Sequence, residues 1–336
     1  MTNVGELIQR EARDLGLGHV RFARVEGPTP RIEAFEAFLD EGRHGVMRYL
    51  ERGRKIRGDV SLRFPGAATA VVIGLAHHHA RPPDPGGLTG MVARYAWGRD
   101  YHNLFGKRLR RLQKRLRAAG IDSWGGVDTA PILERAWAEA SGLGFTGKSC
   151  IQILPARTTW FFLGVLFVGA DIDPDPPVER DHCGSCTRCL AACPAGAFVG
   201  PYELDARRCV AYWTIEAPGA IPAALRPALG RWVFGCDLCQ EVCPHNAAAP
   251  VCPEDDLAPR NAWLDLVWLL DAEDDVLDAR FTGTPLRRPG IEGLRRNACV
   301  VLGNLGDRAA MPVLERALKR GPLVAEHARW ALERLA

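Results

Sequence analysis

The 336-residue sequence predicts an α+β protein in three parts, and three observations carry that expectation. Strand-like and helix-like segments alternate from the N-terminus to residue 167. Eight cysteines then crowd into residues 183–243 at short, regular spacings. From residue 289 onward, short helical stretches are broken at Gly306-Asp307 and Gly321-Pro322, the pattern of stacked helices in a repeat of HEAT-like type. The expected divisions are a catalytic α/β domain over 1–172, a cysteine-rich module over 173–252, and a helical connector and repeat over 253–336.

The first part reads element by element. Residues 4–15 put Leu7, Ile8, Ala12 and Leu15 on one helical face, and residues 19–25 alternate like a strand. A second amphipathic helix over 31–40 follows Pro30, and residues 47–57 are polar and basic, ending in Arg54-Lys-Ile-Arg57. The unbroken apolar run 70–76 predicts a strand covered on both faces. It leads into His77, His78 and His79, which cannot all face one metal from an extended chain. Another strand is expected over 91–98. The helix over 103–117 points Phe105, Leu109, Leu112 and Leu116 inward, with seven Lys and Arg around the rest. Such a basic face is either solvated or a contact for nucleic acid. Asp128, in Val127-Asp-Thr-Ala-Pro131, is either the N-cap of a Pro-started helix or a carboxylate at a strand end, placed to hand over a proton. Residue chemistry leaves both open. The Pro-rich stretch 171–177 is a stiff exit from the domain.

The cysteines carry the chemistry. Cys183, Cys186, Cys189 and Cys193, followed by Pro194, make the C-x2-C-x2-C-x3-C-P run that wraps a [4Fe-4S] cluster in bacterial ferredoxins. Cys236, Cys239 and Cys243-Pro244 repeat its second half, and Cys209 stands upstream to supply the missing ligand. In such pairs the fourth cysteine of each run crosses to the other cluster. The expected sets are therefore Cys183, Cys186, Cys189 and Cys243 for one cluster, and Cys193, Cys209, Cys236 and Cys239 for the other. Two four-cysteine zinc sites are the alternative, but they do not need interlocked runs of this form. A disulfide network at this density would be strained. Cys150, Cys252 and Cys299 are expected as small apolar fillers.

Bulk properties bound the rest. The composition, 47% hydrophobic and 25% charged, is that of an ordinary soluble protein, and the formal charge of +3 is nearly neutral. Residues 1–11 carry no basic and apolar export pattern, and the apolar run 160–170 is too short to span a bilayer, so a cytoplasmic location without membrane contact is expected. Residues 255–278 are acidic and rich in Trp and Leu, and read as a helical connector. From residue 287 to the end, ten Lys and Arg face five Asp and Glu, a local excess that could follow a phosphate backbone or dock a protein.

Several stretches together give the chain a resemblance to epoxyqueuosine reductases. They are Arg94-Tyr-Ala-Trp-Gly-Arg-Asp-Tyr-His102, residues 127–139, Gly144-Phe-Thr-Gly-Lys148, the cysteine runs, Leu204-Asp-Ala-Arg-Arg-Cys209 and residues 283–298. They occur in the family's order across nearly the whole chain. The resemblance implies a nitroreductase-like cobalamin domain, a ferredoxin-like two-cluster module and a C-terminal HEAT-like segment in a monomer. It implies Asp128 as proton donor, and corrin contacts at Arg57, Asp128, Ser149, Gln152 and Leu163. Two positions depart from the family: Ser149, where Asn is usual, and Phe145, where Trp is common. Asp100-Tyr-His102 nearly forms the D-x-H-x-x-G signature of cobalt-ligating corrinoid proteins, but Gly106 falls one place late, so His102 is not assigned as a ligand.

The implied reaction is the last step of queuosine synthesis at the wobble position of a tRNA anticodon. An external low-potential donor feeds two [4Fe-4S] clusters, which feed cobalamin to its cob(I) state, and Asp128 protonates the departing epoxide oxygen. Two other classes compete. A reductive dehalogenase-like enzyme shares the cofactors, but such enzymes typically carry a twin-arginine signal and no HEAT tail. A simple electron-transfer ferredoxin would leave the N-terminal domain without a task.

Overall fold

The computed structural model describes residues 3–154, 158–178 and 182–336. The chain begins with α1 (Val4–Asp14), capped where the Asn3 side chain accepts the Gly5 N–H at 2.9 Å. Then follow β1 (His19–Arg24), α2 (Ile32–Asp40), the short α3 (Arg48–Arg52) and α4 (Arg54–Gly58), β2 (Thr69–Ala76) and β3 (Thr89–Val92). Next come α5 (Tyr101–Ala118), β4 (Ser123–Gly126), α6 (Glu134–Ala140), the small hairpin β5 (Phe145–Thr146) and β6 (Gln152–Ile153), and β7 (Phe161–Val168).

Strands β1, β2, β7 and β4 form, in that order, an antiparallel sheet. Its two faces are both covered, which is why β2 and β7 read as continuous apolar runs. Val71, Ile73 and Leu75 meet α1 and α5 on one face; Ala70 and Val72 meet Trp137 of α6 on the other. The alternation is that of an extended strand. The apolar face expected of α5 holds, with Phe105, Leu109, Leu112 and Leu116 all buried.

The module that follows contains α7 (Arg188–Ala191), β8 (Phe198–Gly200), β9 (Glu203–Leu204), α8 (Val210–Ile215), β10 (Trp232–Phe234) and α9 (Leu238–Glu241). The C-terminal part adds β11 (Trp263–Asp265), α10 (Leu266–Asp271), α11 (Asp274–Phe281), α12 (Gly290–Leu305), α13 (Met311–Ala317) and α14 (Pro322–Leu335). Two expectations change here. The strand foreseen over 91–98 ends at Val92 and turns into a 3-10 helix at Arg94–Ala96. The foreseen helical connector contains β11, which pairs antiparallel with β3 while β10 pairs parallel on the other side. Partner strands so far apart in sequence leave no local signature. This sheet takes one strand from each part of the chain and ties them into one body.

A buried polar knot strengthens the tie. Arg296, fully buried on α12, donates to the carbonyls of Trp213, Ala217 and Gly219, and to Asn297 Oδ1. Asn297 donates in turn to the carbonyls of Thr214 and Val233. Burial lowers the Arg296 pKa to about 10, a cost that its carbonyl partners offset. Arg296→Met should leave these acceptors unpaired and cost about 3 kcal/mol. The check is a drop in the midpoint of anaerobic urea unfolding; an unchanged midpoint would count against the knot.

Candidate active site and cysteine module

The first centre forms where β4 stops. At Gly125, φ is +153° and a Cβ would lie 2.0 Å from the Val165 carbonyl oxygen, so only glycine lets β4 approach β7 here. Beyond Val127, Asp128 takes a left-handed conformation with φ 54°. Its backbone N–H donates to Glu134 Oε1 at 3.0 Å. Asp128 does not cap α6: that helix starts at Glu134, with Leu133 at the cap position and no side-chain capping bond. The N-cap reading is thereby removed.

The Asp128 side chain meets a partner that sequence reasoning had passed over. His102 Nε2 lies 3.1 Å from Asp128 Oδ2, and His102 Nδ1 lies 2.7 Å from Asp100 Oδ1. Asp100 also caps α5, accepting the His102 N–H at 2.9 Å, which fixes the ring against both carboxylates. Burial works against charge on His102, but the two carboxylates outweigh it and push its pKa up to about 9. Burial raises Asp128, yet bonding to His102 and the Tyr101 hydroxyl prevails and holds it below its ordinary value. At neutral pH the array is an imidazolium between two carboxylates. The proton is stored on His102, one hydrogen bond behind a carboxylate that faces the opening.

Around this array, Tyr101 stacks on His102 and Phe162, each at 4.1 Å between centroids, and Phe162 stacks on His77 at 4.3 Å. Burial and the Arg94 charge lower His77 to about 3, so it stays neutral. His78 stacks on Trp160, which His77 also meets edge-on. Burial, with the Asp128 charge adding to it, raises Glu134 to about 7. Arg57 is buried, donating from Nη1 to the carbonyls of Tyr49 at 3.3 Å and Leu50 at 3.4 Å, within the field of Glu134 and Asp128. A side chain at Gly53 would run into that guanidinium.

Of the other expected corrin contacts, Leu163 lies on β7 just past the last residue paired with β4, Val165 opposite Gly126. Residues 161–164 of β7 continue beyond the β4 pairing. Gln152 is buried, with Oε1 3.3 Å from the Thr146 hydroxyl and Nε2 without a partner among the described residues. Ser149 is buried and borders the cysteine cavity.

The cysteines fall into two groups. Cys183, Cys186 and Cys189 line one cavity together with Cys243, although Cys243 lies in the later run. Lys148, whose ammonium donates to the Gly184 carbonyl, borders the same cavity. Cys193, Cys209, Cys236 and Cys239 lie within one another's fields. Burial pushes the Cys209, Cys236 and Cys239 thiols up, so their thiolates require a compensating cation. Amide hydrogens are already aimed at the sulfurs: the Ala197 N–H donates to Cys193 Sγ at 3.2 Å, and the Leu238 amide lowers Cys236. Among the described residues, no three His, Cys, Asp or Glu side chains could hold a single metal ion.

Comparison with known proteins places this geometry in context. Residues 182–246 match the family of 4Fe-4S double cluster binding domains, and residues 57–129 match the family described as epoxyqueuosine reductase QueG, DUF1730. The chain is 40% identical to the epoxyqueuosine reductase of Pseudomonas aeruginosa, over 98% of this chain and 94% of that one. It is 37% identical to the Escherichia coli protein of the same name, over 88% and 80%. Among solved structures it superposes on an epoxyqueuosine reductase holding an epoxyqueuosine-modified tRNA-Tyr stem loop, with TM-score 0.91, 28% identity and coverage of 99% and 90%. It also superposes on the Bacillus subtilis enzyme with its catalytic aspartate loop swung out of the active site, with TM-score 0.89, 27% identity and the same coverage.

Proposed function

The chain belongs to the epoxyqueuosine reductase family, and from that premise we propose that it reduces epoxyqueuosine to queuosine at the tRNA wobble position, with Asp128 passing the proton to the departing oxygen. The observation that carries the residue assignment is the Asp100–His102–Asp128 array just past the end of β4. The dehalogenase-like alternative is not favoured by this membership.

The donor chemistry fits the implied cofactors. Eight cysteines in two crossed groups suit two [4Fe-4S] clusters, with Cys183, Cys186, Cys189 and Cys243 at one and Cys193, Cys209, Cys236 and Cys239 at the other. The orphan Gln152 Nε2 and the stretch of β7 at Leu163, beyond the β4 pairing, suit the amide-rich rim of a corrin, which Arg57, Asp128, Ser149, Gln152 and Leu163 would hold. A corrin held by these residues would supply strongly reducing cobalt at the substrate, its electrons entering through the cysteine module from an external low-potential donor. The remaining steps fall to side chains. Loss of the epoxide oxygen as water takes up two electrons and two protons. Asp128 takes the His102 Nε2 proton across the 3.1 Å bond and passes it to that oxygen while Asp100 steadies the ring; the second proton reaches His102 from solvent and follows the same path. Turning of the Asp128 loop would open the site between rounds.

We read 1–172 as the cobalamin domain, 173–252 as the ferredoxin-like module and 253–336 as the connector and HEAT-like helices of a monomer. No described helix is long and apolar enough to cross a membrane, and a cytoplasmic setting matches a tRNA substrate.

Nucleoside mass spectrometry tests the function. Protein reconstituted with clusters and cobalamin, and given a strong reductant anaerobically, should convert epoxyqueuosine in tRNA to queuosine. No conversion with both cofactors bound would overturn the reading. The pH profile tests the array. The proton on His102 is present below about pH 9 and lost above it, so turnover should fall as pH rises through 9. His102→Gln should lower turnover by roughly 10²-fold and remove that limb; an unchanged profile would exclude His102 as the proton store.

A further inference from the structure

The sequence offers two basic regions for RNA; the structure commits much of the C-terminal one, and Arg108 and Arg115 of α5, to the fold. On α5, Arg108 forks onto Glu254 at 2.7 Å and Arg115 reaches Glu11 at 2.8 Å. In the C-terminal part, Arg295 and Arg296 are buried, Arg287 pairs with Asp278 at 2.6 Å, and Arg316 pairs with Asp271 at 2.6 Å.

Lys107, Arg110, Arg111 and Lys114 of α5 stay exposed, but a third basic region lies in the field of Asp128 itself. On α3 and the start of α4, Arg48, Arg52 and Lys55 are exposed and make no ion pair among the described residues. Arg48 and Arg52 are four apart on one short helix, a like-charge spacing that opposes the helix unless an anion lies between them. Between them in sequence stands Tyr49, 39% exposed, close to Val46, 52% exposed. Arg288 comes from the C-terminal part, with its guanidinium 5.6 Å from the Tyr49 ring centroid. Arg288 is held by Glu216 at 3.0 Å, an accessible pair of the kind that contributes little and that a phosphate can replace. The nearby acid Glu51 is engaged by His44 at 2.8 Å.

This cluster lies over the Asp128 site. Arg57, in the field of Asp128, holds the carbonyls of Tyr49 and Leu50. The segment bearing Arg288 is anchored where the Asp100 N–H donates to the Gly283 carbonyl at 2.8 Å, at the cap of the helix that carries His102. An exposed aromatic ring beside accessible cations is what a single-stranded, splayed RNA loop requires: a stacking platform for a base, and charges for the flanking phosphates. Resting on the tRNA reading above, we propose that the α3 face bearing Arg48, Tyr49 and Arg52, completed by Arg288, seats the anticodon loop over the Asp128 site. Tyr49 stacks a nucleotide beside the reacting one, and the arginines hold the backbone on either side.

The test is fluorescence anisotropy of a labelled tRNA anticodon stem loop with the full, cofactor-loaded chain across a salt series, without reductant. Arg48→Ala with Arg52→Ala should raise Kd about tenfold or more and reduce the slope of log Kd against log salt by about 1.4, two single-strand phosphate contacts. Tyr49→Ala should raise Kd about tenfold with the slope unchanged, and Tyr49→Phe should restore binding, as stacking requires. Arg111→Ala with Lys114→Ala, on α5, should leave both quantities as in the wild type. Wild-type binding by the α3 double variant, or loss on the α5 pair instead, overturns the proposed face while the tRNA reading stands. If the unaltered protein binds no stem loop at any salt, the tRNA reading fails and the proposed face with it.

Discussion

Asp128→Asn is expected to lower the turnover of epoxyqueuosine in tRNA by roughly 10²–10⁴-fold, the usual contribution of a positioned acid or base. The substitution is chosen to spare everything else. Asn is nearly isosteric and tolerates the left-handed backbone that Asp128 occupies at φ 54°. The backbone bond to Glu134 does not involve the side chain and should persist. What is lost is the carboxylate that can take the His102 proton and pass it on, since an amide does not carry a proton at accessible pH. With one of its two carboxylates gone, His102 should also titrate lower than about 9. Both clusters and the corrin should remain, as seen in their absorption spectra. Near-wild-type turnover with full cofactor content would remove Asp128 from the proton path, and loss of the corrin alongside activity would leave corrin contact as its role.

Cys243→Ser tests the crossing of the two cysteine runs, and its expected outcome runs against sequence proximity. Cys243 lies four residues after Cys239 and would be grouped with it by adjacency, yet it borders the cavity of Cys183, Cys186 and Cys189. The variant should lose the cluster of that early run, keep the cluster at Cys236 and Cys239, and retain about half the iron, since each [4Fe-4S] unit carries four atoms. Turnover should cease, because electrons then have only half of their route. Cys193→Ser should give the mirror result, sparing the cavity of the early run. Electron paramagnetic resonance of the reduced proteins distinguishes the residual clusters. If Cys243→Ser instead destroyed the Cys236 and Cys239 site, ligation would follow the chain rather than the fold.

The expected results for Asp128 differ in origin from those for the cysteines. Metal-cluster ligands must recur at short fixed spacings because one tight loop presents several sulfurs to one cubane, so their grouping is legible in the chain. The buried strands β2 and β7 and the inward face of α5 were legible for a similar reason, since periodicity reports which side of a local element is dry. Asp128 was visible as a candidate but ambiguous, because a cap and a proton carrier use the same residue type. The left-handed turn and the start of α6 at Glu134 removed the cap reading. His102 was noticed for a near-miss to a cobalt signature, while its actual partners, Asp100 two residues away and Asp128 twenty-six residues away, needed the helix and the strand end to be brought together.

The basic residues mark the limit most clearly. By count, α5 and the C-terminal part looked like the places for RNA, but a count does not reveal that Arg108 is spent on Glu254 or that Arg296 is buried among carbonyls. The sequence by itself determined the cysteine chemistry, the secondary elements whose periodicity is local, and the family pattern that names the reaction. Tertiary structure alone decided which charges are free, that β3, β10 and β11 pair, and that His102 stands behind Asp128. Those properties depend on distances between groups far apart along the chain, and both desolvation and Coulomb energy are set by such distances rather than by residue type.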